Sequence, residues 1–164
     1  MGFNTSSFNT SPFNIIIDSE LSYTGLKLLK CANWVEGPSH GGIETTNEVD
    51  ICWDYISEYE NINGSSDYRK CFINNYGDVS TGECNIRPSF IVPNGLSGRL
   101  NAVIALGTTT DNMSNRPADG SFGAALTTTI APGESVAVWI KRTITSGGTG
   151  SFLGVQFVMS VTEG

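Results

Sequence analysis

The sequence predicts an all-β protein, an antiparallel β-sandwich or jelly roll with an extended N-terminal arm. Gly, Ser, Thr and Asn supply 67 of the 164 residues, and these residues favour turns, caps and strands over long helices. Only 15% of the residues are Asp, Glu, Lys or Arg, against a usual fraction of about 25%, which argues against a coiled coil or a helical bundle. The remaining observation is a series of short apolar or alternating runs, each closed by a Gly, Pro or Asn turn.

The first fourteen residues predict an extended arm ahead of a single domain formed by residues 15–164. A Phe-Asn pair recurs there at intervals of five residues, which fits neither the period of about 3.6 of a helix nor the period of about 2 of a strand. We interpret the rings as anchors for apolar pockets on the same domain or on a neighbouring subunit. The alternative is a tail that is fixed only by packing within an assembly. The arm residues are Phe3, Asn4, Phe8, Asn9, Phe13 and Asn14.

Five runs in the first part of the domain predict strands. Apolar and polar side chains alternate through residues 49–55, which predicts a half-buried strand. Asn63-Gly64 predicts a turn before residues 67–76, and Pro88 restricts the middle of the last run to an edge position or a bulge. The five runs are residues 15–17, 21–30, 49–55, 67–76 and 84–93.

Further runs in the second part predict strands with no helix between them. Residues 98–107 alternate, and Pro132-Gly133 predicts a β-turn ahead of the next strand. The last run covers residues 151–161, and the glycine-rich segment 145–151 predicts a flexible hairpin tip before it. The inward faces of these runs predict a core of Leu26, Leu28, Ile51, Trp53, Phe72, Ile86, Ile91, Leu100, Ile104, Val138, Ile140, Val155, Phe157 and Met159.

The cysteines and the single histidine, His40, do not form a metal-binding pattern. The cysteines are 21, 19 and 13 positions apart, which fits no C-x-x-C spacing, so we expect no metal site. Buried thiols and one or two disulfides are both open at this point, because three pairings exist and the sequence cannot choose among them. The candidate disulfide residues are Cys31, Cys52, Cys71 and Cys84.

Acidic charge is concentrated in one stretch of the chain. Sixteen Asp and Glu against nine Lys and Arg give a net charge of −7, which argues against a nucleic-acid partner because phosphate binding needs a basic face. No Lys or Arg occurs between Lys30 and Arg69. We interpret the acidic residues of this interval as a solvated face on loops and a short edge strand, with a Ca²⁺ site as the weaker alternative. They are Glu36, Glu44, Glu48, Asp50, Asp54, Glu58 and Glu60.

Catalytic and targeting signatures are missing from the sequence. It has neither the G-x-S-x-G of serine hydrolases nor a phosphate-binding G-x-x-x-x-G-K-[ST], and no carboxylate pair stands out for a glycosidase. No apolar run approaches the ~20 residues that span a bilayer, and the start lacks the features of a secretory signal. We therefore expect a protein with no enzymatic activity, no cofactor and no membrane partner, retained in the producing cell until release.

A carbohydrate-binding adhesive module is the alternative from another functional class. Trp34, Trp53 and several tyrosines provide flat rings of the kind that stack on sugars. Core packing explains the same residues with fewer assumptions, so sugar binding stays the second interpretation.

From Asp67 onward the sequence resembles a group of small structural proteins of tailed bacteriophage virions. The segment 67–92 resembles the strand-turn-strand of these proteins. The segment 130–145 resembles their Pro-Gly turn, which leads into a V-W-[IV]-[KR]-R strand. The last strand of the chain, residues 152–164, is also similar to the last strand of these proteins. Lys70, which separates Arg69 from Cys71, departs from that pattern, and the acidic segment before residue 67 has no counterpart. The residues that carry the resemblance are Asp67, Tyr68, Arg69, Phe72, Asn74, Pro132, Gly133, Val138, Trp139, Ile140, Lys141 and Arg142.

This resemblance implies an assembly role without catalytic residues. The Phe-Asn arm is also similar to N-terminal segments of phage structural proteins. We therefore expect a virion component, assembled in the host cytoplasm, that docks through its arm in the tail, baseplate or collar, with capsid decoration as the alternative. The expected partners are other virion proteins and further copies of the chain, as a trimer or higher oligomer.

Overall fold

The computed structural model describes residues 13–17, 25–34, 41–49, 52–53, 55–153 and 155–163, and for residues 13–17 and 163 it describes the backbone only. The chain is mostly antiparallel β-sheet with little helix, which confirms the predicted all-β class. The strands are β1 (Phe13–Ile17), β2 (Leu26–Cys31), β3 (Glu44–Glu48), β4 (Tyr55–Ile56), β5 (Ser65–Asn75), β6 (Cys84–Phe90), β7 (Leu100–Leu106), β8 (Leu126–Thr128), β9 (Ser135–Ile144), β10 (Phe152–Leu153) and β11 (Phe157–Glu163).

The strands form two larger sheets and one two-stranded ladder. The five-stranded sheet has the order β3-β2-β5-β9-β7, the four-stranded sheet has the order β1-β11-β6-β8, and β4 pairs with β10. The strand pairs in the described residues are antiparallel except for β1 with β11, which is parallel. The longest ladder joins β5 to β9 over ten residue pairs and forms the centre of the five-stranded sheet.

The main apolar core draws side chains from both larger sheets. Cys71, Ile73 and Val138 come from the five-stranded sheet, and Phe157 and Met159 come from the four-stranded sheet. The predicted core residues that the structure describes are buried, with one exception. That exception is Ile91, which is 58% exposed.

The burial of Ile91 was predicted wrongly because the strand ends one residue before it. Side chains alternate between the two faces of a strand, and Phe90 packs against the core, so the next side chain points away from it. Two other core predictions need comment. Phe72 is buried on the other face of its sheet, in a small cluster with Leu29 and Cys31, and Ile51 lies outside the described residues.

A short helix, α1 (Glu58–Asn63), occupies a region where we predicted none. Ser57 is its N-cap, and its hydroxyl accepts a hydrogen bond from the N–H of Glu60, whose carboxylate accepts one from the N–H of Ser57. This reciprocal pair is a capping box, which satisfies two N–H groups that a helix start leaves unpaired. Gly64, with φ 81°, ends the helix, so Asn63-Gly64 closes a helix here.

The predicted half-buried strand over residues 49–55 is wrong for the described part of that range. Only Tyr55 belongs to a strand. Val49 follows β3 and donates its N–H to the carbonyl of Leu28 at 2.9 Å. Cys52 and Trp53 are neighbours in sequence and both are buried, at 4% exposure, which a strand with one solvent face does not allow. Both side chains pack into the main core from outside the strands.

The last predicted run is divided between two sheets. Phe152 and Leu153 form β10 and pair with β4, whereas β11 starts at Phe157 and pairs with β1 and β6. Since β9 and β10 belong to different sheets, the glycine-rich segment 145–151 links two sheets and is not the hairpin tip that we predicted.

The predictions for two prolines, a turn at Pro132-Gly133 and an edge position at Pro88, are confirmed. The N–H of Glu134 donates to the carbonyl of Ala131 at 3.0 Å, and Gly133 has φ 78°, as a Pro-Gly β-turn requires. Pro88 lies in β6 opposite Met159, beyond the three residues that pair with β8. On that side of the strand it is at an edge, where its missing N–H leaves no ladder bond unmade.

No helix in the described ranges is long and apolar enough to cross a membrane.

Candidate functional site

Several short elements lie at one end of the molecule, which we call the helix end: α1, β4, β10, residues 91–93 with the 3₁₀ helix Asn94–Leu96 that follows them, and the loop 145–151. They enclose a second apolar cluster, separate from the main core. Phe90 packs against both clusters and connects them. The buried members of the second cluster are Ile56, Leu96, Leu100, Ile144 and Val155.

The chain enters β1 at the helix end. β1 is parallel to β11 with Phe13 beside Phe157, and the other edge of β11 pairs Phe157 with Phe90. Because Phe90 packs against the helix-end cluster, the first residue of β1 lies at that end. Residues 1–12 are therefore joined to the domain there.

Most of the exposed large hydrophobic side chains also lie at the helix end. The described residues contain ten such side chains, and six of them are at this end. Tyr55 and Leu153 are directly opposite each other on the β4-β10 ladder, and Leu153 is 80% exposed. Scattered exposed apolar residues are normal, but a concentration of them marks an interaction surface. The six are Tyr55, Tyr59, Ile62, Ile91, Val92 and Leu153.

Arg99 and Asn61 hold the segments of the helix end together. The guanidinium of Arg99 donates to the carbonyl oxygens of Gly95 and Thr145 and to both oxygens of Asn61. Asn61 is fully buried, and its Nδ2 donates to the carbonyl oxygens of residues 149 and 150 at 2.8 and 2.9 Å. These hydrogen bonds join α1 to the 3₁₀ helix and to the loop 145–151, so the segments that carry the exposed side chains are held in place.

Gly148 fits into this network because it has no side chain. Its N–H donates to the carbonyl of Asn61 at 3.0 Å. A Cβ atom at this position would overlap Oδ1 of Asn61 and the guanidinium of Arg99. The glycine-rich segment thus packs against α1, in contrast to the flexible tip that the sequence predicted.

A buried ion pair connects α1 to the five-stranded sheet. Arg142 lies opposite Asp67 in the β5-β9 ladder, with Nη2 2.7 Å from Oδ2 of Asp67 and 3.2 Å from Oε1 of Glu60. Nε1 of Trp53 donates to the other oxygen of Asp67 at 2.8 Å. Burial raises the pKa of Asp67, and the neighbouring guanidinium of Arg142 opposes that rise. Asp67 and Arg142 are both needed for stability, because removing either one leaves the other charge buried without a partner.

A second buried ion pair lies on the opposite face of the same sheet. Lys70 is fully buried, and its Nζ lies 2.5 Å from Oδ1 of Asp111 and donates to the Asp111 carbonyl at 2.9 Å. Asp111 belongs to the long loop between β7 and β8, and its other carboxylate oxygen accepts the N–H of Thr108. The pair therefore fixes that loop over the outer face of the sheet.

The opposite end of the molecule, which we call the turn end, consists of residues 76–83 and 129–134. Asn75 is fully buried there, and its Nδ2 donates to the carbonyl oxygens of Val79 and Ile130 at 2.8 and 2.9 Å. Its Oδ1 accepts the N–H of Gly77 at 3.1 Å. The buried side-chain amide of Asn75 thus joins residues 77 and 79 to residue 130 by hydrogen bonds.

The predicted arm residues divide between described and undescribed parts of the chain. Phe13 and Asn14 lie in β1, where they pair with Phe157 and Val158. The predicted boundary of the arm at residue 14 is therefore wrong by two residues, because a strand begins at Phe13. Four predicted arm residues lie outside the described residues: Phe3, Asn4, Phe8 and Asn9.

The structure has the thiol alternative for all four cysteines, each of them buried. The disulfide alternative is not formed. Burial raises the pKa of Cys31, Cys52 and Cys71, which keeps these thiols protonated and unreactive. Sγ of Cys84 lies 3.2 Å from the carbonyl oxygen of Thr128, to which it donates. The cysteines thus act as small core residues.

The described acidic residues do not converge on a cation site. Glu44 and Glu48 are exposed on β3, an edge strand, as the solvated-face interpretation predicted. Glu58 and Glu60 are in the first turn of α1. Glu36, Asp50 and Asp54 lie outside the described residues, as does His40. In the part of the chain that the structure describes, no group of three His, Cys, Asp or Glu is placed to hold a metal ion.

The tryptophans proposed for sugar stacking pack inward. Trp53 is 4% exposed and contacts Phe90 and Phe157 at ring-centroid distances of 5.7 and 5.5 Å. Trp34 is partly buried against two apolar clusters. The interpretation of these rings as core residues is confirmed for Trp53.

The residues that build the helix end were not found by sequence reasoning. Ser57 and Glu60 carry the S-x-x-E signature of a capping box, which was available but was overlooked among turn-forming neighbours. Arg99 and Asn61 carry no local signal, because their partners are distant along the chain. The comparisons with known proteins add nothing here: no family model matches the chain, and neither curated proteins nor solved structures give a significant match.

Proposed function

We propose that the protein is a non-enzymatic structural component of a tailed-phage virion that docks through residues 1–12. In this proposal the two larger sheets are the layers of a β-sandwich, and the core between them makes the subunit rigid. The observation that carries the proposal is the concentration of exposed hydrophobic side chains at the helix end, where residues 1–12 join β1. An apolar surface beside a segment with evenly spaced aromatic rings fits a subunit that is joined to others by its terminus.

The resemblance of residues 67–164 to virion structural proteins supplies the class of assembly. Within that class we favour the tail, baseplate or collar over capsid decoration. Copy number per particle distinguishes these placements, since a small multiple of three or six indicates the tail and hundreds indicate the head. The carbohydrate-binding alternative loses one of its rings, because Trp53 packs in the core.

Deleting residues 1–12 tests the docking role without removing β1. We expect the truncated protein to fold, and to be found in purified particles at a level reduced by at least ~10-fold, because each copy loses its anchoring contacts. A matched control is Tyr76→Ser/Val79→Ser, which removes exposed hydrophobic side chains at the turn end and should leave incorporation unchanged. Normal incorporation of the truncated protein would contradict the proposal.

A further inference from the structure

We propose that the helix end is the receptor for residues 1–12 of a second copy of the chain, so that neighbouring subunits exchange their N-terminal segments. This inference rests on the proposed function, since it names the partner of the same terminal segment. Its elements are the exposed side chains of the helix end, the place where β1 begins, and the composition of the segment.

The helix end offers an apolar surface that is held in place before any partner binds. Tyr59 and Leu153 are 74% and 80% exposed, while the segments that carry them are fixed by Arg99, Asn61 and Gly148 beneath. A surface that is already ordered loses little conformational entropy when it binds, which favours docking of an extended segment.

The segment has the chemistry to fit that surface. Residues 1–12 contain Phe3 and Phe8 and no charged side chain. A protein with a net charge of −7 repels further copies of itself at low ionic strength, and an uncharged aromatic segment brings no additional negative charge to the contact. The rings are suited to apolar contacts with exposed tyrosine, leucine and isoleucine side chains.

Reach and direction favour a second copy as the occupant. Followed backward from Phe13, β1 leads out of the end of its sheet, because Phe13 and its partner Phe157 are the first residues of their strands. Twelve extended residues span at most ~40 Å, about the diameter of a domain of ~150 residues. The segment is therefore long enough to cross to an adjacent subunit. Because the segment and its receptor are at the same end, copies arranged around a symmetry axis can satisfy one another in a closed ring.

Cross-linking between two differently tagged versions of the full chain tests the exchange. One version carries Phe8→Cys and the other Leu153→Cys, and a short bismaleimide joins thiols that lie close together. The native cysteines are buried, and the raised pKa of Cys52 and of Cys71 lowers their reactivity further. The control partner carries Val79→Cys at the turn end, where that side chain is 54% exposed.

We expect the mixed Phe8→Cys and Leu153→Cys product to form ~10-fold more than the product with Val79→Cys, because docking raises the local concentration of the two thiols. Equal yields with both partners would overturn the inference. So would a doubly substituted chain, Phe8→Cys/Leu153→Cys, that links only within itself at monomer mass. If cross-linking fails but incorporation into particles still depends on residues 1–12, the exchange is refuted and the proposed function stands. If cross-linking succeeds but incorporation does not depend on residues 1–12, the proposed docking role is refuted and the exchange stands.

Discussion

The two ends of the molecule are built around similar buried asparagines but present different surfaces. At the helix end Asn61 donates two hydrogen bonds from Nδ2 and accepts one from Arg99, and at the turn end Asn75 donates two and accepts one from Gly77. Both side chains are fully buried. The helix end nevertheless exposes six of the ten exposed large hydrophobic side chains in the described residues.

This difference shows that hydrophobic exposure at the helix end is not a by-product of loosely held loops. Equivalent hydrogen-bond networks fix both ends, so a loop-rich region can be ordered with fewer exposed apolar groups. The turn end exposes only two of the ten, Tyr76 and Val79. At the helix end the apolar side chains are exposed, and the segments that carry them are held by the hydrogen bonds of Arg99 and Asn61, as a binding surface requires.

The largest expected effect comes from replacing each asparagine by alanine. Asn61→Ala and Asn75→Ala should each cost about 3 kcal/mol, because each removes three hydrogen bonds made by a fully buried side chain, at about 1 kcal/mol per bond. For a protein of this size that corresponds to a fall of roughly 6–12 °C in Tm. Denaturant unfolding of both variants checks the prediction. Costs that differ by more than ~2 kcal/mol would show that the two networks are not equivalent and would break the comparison.

Gly148→Ala should have the next largest effect and acts at the helix end alone. The added Cβ overlaps the Asn61-Arg99 contact, so we expect a loss of about 2 kcal/mol from forced displacement in a packed site. The matched control is Gly120→Ala, since no atom lies within 4 Å of a Cβ built there, and its stability should stay within ~0.5 kcal/mol of the unsubstituted protein. Thermal melts of the two variants give the answer, and equal midpoints would rule out a tight fit around residue 148.

A smaller effect on acid stability is expected away from both ends, at Asp119. The hydrogen bond that the Tyr68 hydroxyl donates at 2.7 Å, helped by Lys141 and Arg116, holds the pKa of Asp119 below its ordinary value. The ionised form is therefore favoured in the folded state. Its stabilisation is complete above the unfolded pKa of about 3.9 and is lost as the pH falls through the lowered folded pKa.

Asp119→Asn should flatten this part of the pH dependence. Urea unfolding from about pH 6 to about pH 3 should show a smaller loss of stability for the variant than for the unsubstituted protein. The change is expected to be small because the carboxylate is 58% exposed and water screens its charge interactions. If the free energy of unfolding falls with pH equally in the variant and in the unsubstituted protein, the contact between Tyr68 and Asp119 does not contribute to acid sensitivity.

Local signals account for the parts of the fold that the sequence predicted well. Pro132-Gly133 determines a turn by the intrinsic preferences of the two residues, and the strand that follows is β9. The alternation through residues 100–106 predicted the buried Leu100, Ala102 and Ile104 correctly, but it failed at Leu106, which ends the strand and is 57% exposed. Such patterns depend on neighbours within a few residues, which a sequence displays directly.

Contacts between distant residues account for what the sequence could not predict. Lys70 is buried because the loop that carries Asp111 folds over it, and Arg142 is buried because β9 pairs with β5 in the register that places it opposite Asp67. The separation of Phe152 from Phe157 into two sheets likewise depends on which strand each segment meets. No local pattern specifies these pairings. The arrangement of the helix end therefore could not be predicted from the sequence.

The most direct test of the account is the molecular mass in solution of two matched double variants, measured by sedimentation equilibrium. Tyr59→Ser/Leu153→Ser removes apolar side chains from the helix end, and Tyr76→Ser/Val79→Ser removes the same number from the turn end. We predict that the unsubstituted protein and the turn-end variant share the same oligomeric mass, whereas the helix-end variant sediments as a folded monomer, with the circular dichroism spectrum of the unsubstituted protein. A helix-end variant that keeps the oligomeric mass, or an unsubstituted protein that is itself monomeric, would contradict the account.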